Sequence, residues 1–181
     1  MERYATILRG INVSGQKKIR MADLLKLYES LGFTNVCTYI QSGNVVFDSV
    51  HRKVDNLVHG IEQAIQKKYG FNVPVLVRTR AEIQAAIRAN PFIKETAIDL
   101  TKLHLTFLDR APEKSAVRTF DPGSLGQDRY SIKGVNVFLY CPGGYGKTKL
   151  SNTFLEKKLG VRATTRNWKT VNVLNDLLNQ D

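Results

Sequence analysis

The sequence predicts an α+β protein built from two ferredoxin-like βαββαβ halves with a C-terminal helix. Three observations carry this expectation. Short β-rich apolar runs alternate with amphipathic stretches of helical period, two tight glycine turns each join a pair of such runs, and the order of elements starts again after the breaker Asn90-Pro91.

Residues 4–8 form a short apolar run. Residues 21–31 then place Met21, Leu24, Leu25, Tyr28 and Leu31 at helical spacing before Gly32, which suits a helix C-terminus. The β-rich runs 36–40 and 45–47 are joined through Gln41-Ser42-Gly43-Asn44, a glycine turn that signals a hairpin. Leu57, Ile61, Ala64, Ile65 and Tyr69 mark a long second helix closed by Gly70, and residues 73–77 supply a fourth strand.

A bridging helix near residues 81–89 leads to the breaker, and the order repeats. Residues 102–108 read as a strand, 113–120 as a weak helix, and 130–132 with 135–140 as a second hairpin around Lys133-Gly134. Residues 150–159 read as a helix closed by Gly160, with a short strand near 161–164. In the last helix Trp168, Val171, Leu174 and Leu178 form one apolar stripe behind Asn167 as N-cap. The expected division is 1–79 for the first half, 80–101 for a bridge and 102–181 for the second half with the tail helix. The repeat is visible in element order and not in residues, and one continuous mixed sheet is the alternative.

With 181 residues, 43% of them hydrophobic, the chain buries a core without metal or disulfide staples. Cys37 and Cys141 lie in separate strand-like runs with no CxxC partner, so both are expected as reduced core thiols, with no metal and no cofactor. The first apolar run stops at Arg9, too short for a signal peptide, and no run approaches a membrane span; a cytoplasmic location with no membrane partner is expected. The formal net charge of +11 favours phosphorylated ligands, nucleic acid or acidic surfaces. Residues 129–170 hold nine bases against one acid, a stretch that reads either as a solvated surface or as a basic face.

The strings Arg9-Gly10-Ile11-Asn12-Val13, Thr38-Tyr39-Ile40-Gln41-Ser42-Gly43-Asn44, Asn90-Pro91-Phe92 and Arg166-Asn167-Trp168 together resemble an uncharacterised bacterial family, the domain of unknown function numbered 1697. The resemblance runs nearly end to end and implies an α+β fold with no established activity, substrate or cofactor. One position departs from it. Ser14 precedes Gly15 where a glycine pair is expected, which implies a loop less free to wrap a ligand.

Three constellations are candidate ligand sites. In a split βαβ unit the exit of the first strand and the hairpin turn share one sheet edge, so Arg9, Asn12, Ser14 and Lys17 should meet Gln41, Ser42 and Asn44 beside the first helix's N-terminus, whose free N–H groups favour anions. The bland reading is a turn and a cap satisfying each other. Second, Pro142-Gly143-Gly144-Tyr145-Gly146-Lys147-Thr148 approximates a phosphate loop, with Lys147 and Thr148 in the ligand positions. It lacks the first glycine, replaced by Cys141, and lacks a magnesium-binding aspartate, so it also reads as a glycine-rich connection. Third, Arg166, Asn167 and Trp168 join a cation to the only tryptophan, although Trp168 opens the apolar stripe and so reads as core.

No catalytic set emerges. His51, His59 and His104 fall in separate elements without metal or nucleophile spacing. The leading functional expectation is a binding protein for a small phosphorylated or anionic ligand, with nucleic acid as the other partner class. The alternatives are a transferase-like small-molecule enzyme and an interaction module without chemistry. An RNA-recognition platform would need outward aromatics on the central strands, and residues 43–47 carry only Phe47.

Overall fold

The computed structural model describes residues 1–51 and 53–180. In chain order its elements are β1 (Glu2–Leu8), α1 (Met21–Ser30), β2 (Thr34–Tyr39), β3 (Asn44–Ser49), α2 (Val54–Tyr69), β4 (Val75–Thr79) and α3 (Arg80–Ala89). They continue as β5 (Leu103–Leu108), α4 (Lys114–Arg118), β6 (Arg129–Lys133), β7 (Asn136–Tyr140), α5 (Asn152–Leu159), β8 (Ala163–Asn167) and α6 (Trp168–Leu178). Two separate four-stranded antiparallel sheets form, ordered β2-β3-β1-β4 and β6-β7-β5-β8. Both orders are ferredoxin-like, and the single mixed sheet does not occur.

The chain divides into two compact units, Met1–Gln84 with Leu174–Asp181, and Ala85–Val173. In the first, Tyr4 and Leu8 of β1, Val45 and Phe47 of β3, and Val75 and Val77 of β4 meet Leu24 and Tyr28 of α1 and Leu57, Ile61 and Ile65 of α2. Tyr28 and Phe33 pack around Phe47, with ring centroids 5.4 Å and 4.4 Å from it. The second unit repeats the arrangement with Leu108, Val137 and Leu139 under Leu155 and Leu159 of α5. The opposite faces of the central strands are buried as well, at Ala5, Ile7, Val46, Leu105, Phe107 and Phe138. Burial on both faces explains why these strands read as continuous apolar runs rather than alternating ones.

Register reveals a repeat at residue level that the sequence hides. Thr6 on β1 and Thr106 on β5 occupy the same place, facing Val45 and Val77 in one unit and Val137 and Thr165 in the other. Asn44 matches Asn136 and Arg78 matches Arg166, and each arginine's Nη1 donates to the carbonyl of the residue before it. Glu62 of α2 accepts from the N–H of Val75 and Glu156 of α5 from that of Ala163, both at 3.0 Å, at the first residue of the last strand. The residue ending that strand caps the next helix. Thr79 and Glu82 form a reciprocal capping box on α3, and Asn167 Oδ1 accepts from Thr170 N at 2.8 Å on α6, as its N-cap spacing predicts.

One contact fixes where β1 ends relative to the first hairpin. Leu8 N donates to Gly43 O at 2.9 Å, and a Cβ on Gly43 would stand 2.6 Å from Ile11 Cδ1 and 2.8 Å from Leu8 Cβ. Gly43 also has a φ of +73°, while Gly134 in the second hairpin has a similar φ of +57° with no atom near its would-be Cβ. Gly43→Ala is therefore expected to cost about 2–4 kcal/mol, from left-handed strain plus overpacking, and Gly134→Ala only about 1–2 kcal/mol from strain. Urea unfolding of the two variants checks the difference.

Candidate functional site

A ferredoxin-like half does not need a long first connection. The second unit passes from β5 to α4 in residues 109–113, whereas the first takes residues 9–20 to pass from β1 to α1. The longer segment is also folded tightly. Gly10, Asn12, Ser14, Gly15 and Lys17 all have positive φ, and Gln16 N donates to Val13 O at 2.9 Å across the Ser14-Gly15 turn. With φ of +50° and +76° at its two central residues, this is the turn chemistry that favours two glycines. Ser14 thus bears a left-handed backbone costing about 1–2 kcal/mol relative to glycine, which is the physical content of the departure from a glycine pair.

Asn12 ties this loop to the hairpin. Its Nδ2 donates to Ile19 O at 2.9 Å and to Gln41 O at 2.8 Å, and its Oδ1 accepts from Ile19 N at 2.9 Å. Ile11 and Ile19, both 2% exposed, anchor the loop from beneath. Arg9 N donates to Pro74 O at 2.9 Å, and Lys17 Nζ to Asn72 O at 2.7 Å, so the loop is also held on its β4 side. The exit loop and the turn do converge. Within the turn, Asn44 is fully buried and its Nδ2 bonds Tyr39 O and Ser42 Oγ at 3.0 and 2.9 Å, so Ser42 and Asn44 close the hairpin. Ser14 lies at the exposed tip.

Beside Asn12 and Gln41 opens a cleft of about 390 Å³, walled also by Lys18, Ile19, Arg20, Asp23 and Tyr69. Arg20 precedes α1 and its side chain makes no capping bond, so the first amides of α1 have no side-chain acceptor there. Two cations face one carboxylate, Asp23. The Tyr69 hydroxyl is buried with no hydrogen-bond partner among the described residues, and its pKa is raised by burial and then by Asp23, so it remains a donor at neutral pH. Ile40, beginning the turn, has a φ of +51°, an outlier for a β-branched side chain.

The other candidates are placed differently. The glycine-rich segment after β7 makes a short 3-10 turn at Tyr145–Lys147, and α5 starts only at Asn152, where Ser151 Oγ already accepts from Phe154 N. Thr148 Oγ1 accepts from Leu150 N, and Lys147 is exposed. The segment has the geometry of a strand-to-helix connection, with neither residue aimed by a helix terminus. Burial, then Asp128, pushes the Cys141 thiol up to about 11, against the activated thiolate that a nearby lysine would produce. Burial pushes Arg166 down to about 10, and Trp168, 6% exposed, belongs to the buried stripe with Val171, Leu174 and Leu178. Asn167 and Trp168 nevertheless edge a second cleft, of about 360 Å³, with Leu100, Thr101 and Lys169. His104 stacks on Tyr145 at 5.0 Å, and burial lowers its pKa.

Lys18, Arg20 and Tyr69 escape a reading from motifs. Lys18 and Arg20 continue the run opened by Lys17, and that run is the one local signal. Tyr69 reads as the end of a helical stripe, and nothing in its neighbourhood along the chain announces a partner fifty residues away. Among the described residues no three His, Cys, Asp or Glu side chains converge as a metal site would require, and no helix is long and apolar enough to cross a membrane.

These features define a two-unit ferredoxin-like α+β protein with one elaborated sheet edge. The chain belongs to the family described as Protein of unknown function (DUF1697), which matches residues 1–138. That match holds three of the four strings that carry the resemblance and stops short of Arg166-Asn167-Trp168. The whole fold is similar to that of the conserved bacterial protein SP0830 from Streptococcus pneumoniae, at 25% identity and a TM-score of 0.75, over 98% of this chain and 99% of that one. No curated protein matches the sequence.

If Asn12 is the tie that its three hydrogen bonds indicate, Asn12→Ala should lose about 2–3 kcal/mol of stability. It should also release the Ile19 amide to fast hydrogen exchange while Val45 in β3 stays protected. Exchange read by NMR or mass spectrometry separates this local loosening from global unfolding.

Proposed function

We propose that this protein binds a small phosphorylated or otherwise anionic molecule in the cleft between residues 9–20 and the 40–43 turn. The observation that carries the reading is the Asn12 fork, which holds loop and turn as one wall and sets Lys18, Arg20 and the start of α1 around a single opening. An anion there meets two cationic side chains and helix-terminal amides, a combination that favours phosphate or carboxylate oxygens. The cleft also falls within the size range of small-molecule sites. The equivalent edge of the second unit supports a single site per chain. There Asp109 stands in the place of Arg9, its N–H on Arg162 O as that of Arg9 is on Pro74 O, and its Oδ1 accepts from Arg162 N at 2.9 Å.

A small ligand fits these observations better than nucleic acid. Among the nine bases of residues 129–170, Arg129 pairs with Glu95 at 2.9 Å, Lys133 donates to Ala89 O and Lys149 to Ser124 O. Phe47, Phe107 and Phe138 are each 0% exposed, so none of these three rings on the central strands is open for a base to stack on.

Isothermal calorimetry with inorganic pyrophosphate at low salt tests the reading. Wild type is expected to bind one pyrophosphate per chain. Lys18→Ala and Arg20→Ala should each weaken it about tenfold, as loss of a charge-assisted bond requires, while Lys157→Ala should not. Equal binding by wild type and the Lys18→Ala/Arg20→Ala double variant would remove the cleft from consideration.

A further inference from the structure

We infer that the first unit carries, apart from the anion cleft, a slot for the single aromatic ring of a small molecule. A pocket of about 240 Å³ opens there, lined by Leu31 and Phe33, which follow α1, and by Leu57 and Gly60 on α2. His51 and Asn56, both exposed, complete its wall. It shares no residue with the anion cleft.

The second unit shows what fills this space. Glu62 and Glu156, which tie their helices to the outer strands, align α2 with α5, and that alignment sets Ile61 on Leu155, Ile65 on Leu159 and Gly60 on Phe154. Phe120 follows α4 as Phe33 follows α1, and the Phe154 ring packs edge-on against it with centroids 6.0 Å apart. Lys158 Nζ lies over the same ring, 5.8 Å from its centroid, and is matched in α2 by Ala64. One unit thus occupies the position with a phenyl ring and a cation over it, and the other leaves it open beside Phe33.

Packing does not demand the glycine. Gly60 is the one glycine within an α-helix among the described residues, a place where glycine is destabilising relative to alanine, and no atom stands within 4 Å of a Cβ built on it. Phe33 and Leu57 are buried in the core cluster, so these two walls are fixed. An apolar cavity of about 150 Å³ suffices for benzene, so the volume suits one ring with a short substituent. The ring meets Phe33 as Phe154 meets Phe120, and the polar substituent stays with His51 and Asn56.

Benzyl alcohol is titrated into the full chain and followed by the amide shifts of Phe33 and Leu57 in heteronuclear NMR, with cyclohexylmethanol as the aliphatic comparison. Wild type is expected to show saturable shifts at these residues and to bind benzyl alcohol about three- to tenfold more tightly, from the ring-to-ring contact. Gly60→Phe, which supplies the second unit's own ring, should abolish saturable binding. Gly60→Ala should weaken it and melt about 2–4 °C higher, because alanine is the better helix former. Phe154→Ala should open a matching slot in the second unit and add saturable shifts at Phe120. The Lys18→Ala/Arg20→Ala double variant should bind benzyl alcohol as wild type does.

Saturable binding kept in Gly60→Phe, or none by wild type up to the solubility of the alcohol, overturns the inference. Equal affinity for the two alcohols overturns the assignment to an aromatic ring, and a folded Phe154→Ala that gains no shifts at Phe120 overturns the equivalence on which it stands. Should Gly60→Phe fail to fold, Gly60→Ala decides, since undiminished binding there overturns the inference as well.

Discussion

The approach of Gly43 to Leu8 and Ile11 is the constraint on which the first unit's elaborated edge depends. A backbone carbonyl held 2.9 Å from Leu8 N, with no room for a Cβ, sets the height of the hairpin against the end of β1. Once that height is fixed, Asn12 falls beside Gln41 and its amide can serve loop and turn together. Ile11 contributes twice, filling the space that a side chain at position 43 would need and pinning the loop to the core. The cleft is a by-product of this packing. Hydrogen bonds hold the backbone behind its wall, while the long side chains of Lys18 and Arg20 stand exposed.

The two units solve one architectural problem with the same residues. Glu62 and Glu156 each tie a helix to the first amide of the outer strand, and Arg78 and Arg166 each fold back on their own strand one residue before a helix cap. Such repeats are invisible along the chain because the residues between them differ, and only strand register lines them up. Where the units part company is the first connection, twelve residues in one and five in the other, and the arginine-to-aspartate exchange at positions 9 and 109. Scaffold features recur while the edge features do not, as expected of a fold that keeps its packing and changes its loops.

Most of the fold was legible because its signals are local. Gly32, Gly70 and Gly160 end helices, the two glycine turns locate hairpins, and the stripe from Trp168 to Leu178 has an unbroken helical period. The convergence of Asn12 with the turn was also legible, since it follows from split βαβ topology alone. What sequence did not yield is orientation. Ser42 and Asn44 look as available as Gln41, yet Asn44 turns inward to close the hairpin, and Tyr69 enters the cleft wall from a helix end. Side-chain direction at a turn depends on φ values that residue type constrains only weakly, and at Ile40 the backbone runs against type altogether.

The division of the chain bears on how it folds during synthesis. Residues 174–181 belong to the first unit, and Arg3 Nε donates to Leu177 O at 3.0 Å across a separation of 174 residues. The second unit is continuous, from Ala85 to Val173. A ribosome therefore delivers everything the later unit needs before it delivers the final turn of the helix that completes the earlier one. Strand β1 has both of its strand partners, β3 and β4, by residue 79, and residues 174–181 then add the Arg3 to Leu177 hydrogen bond to that sheet.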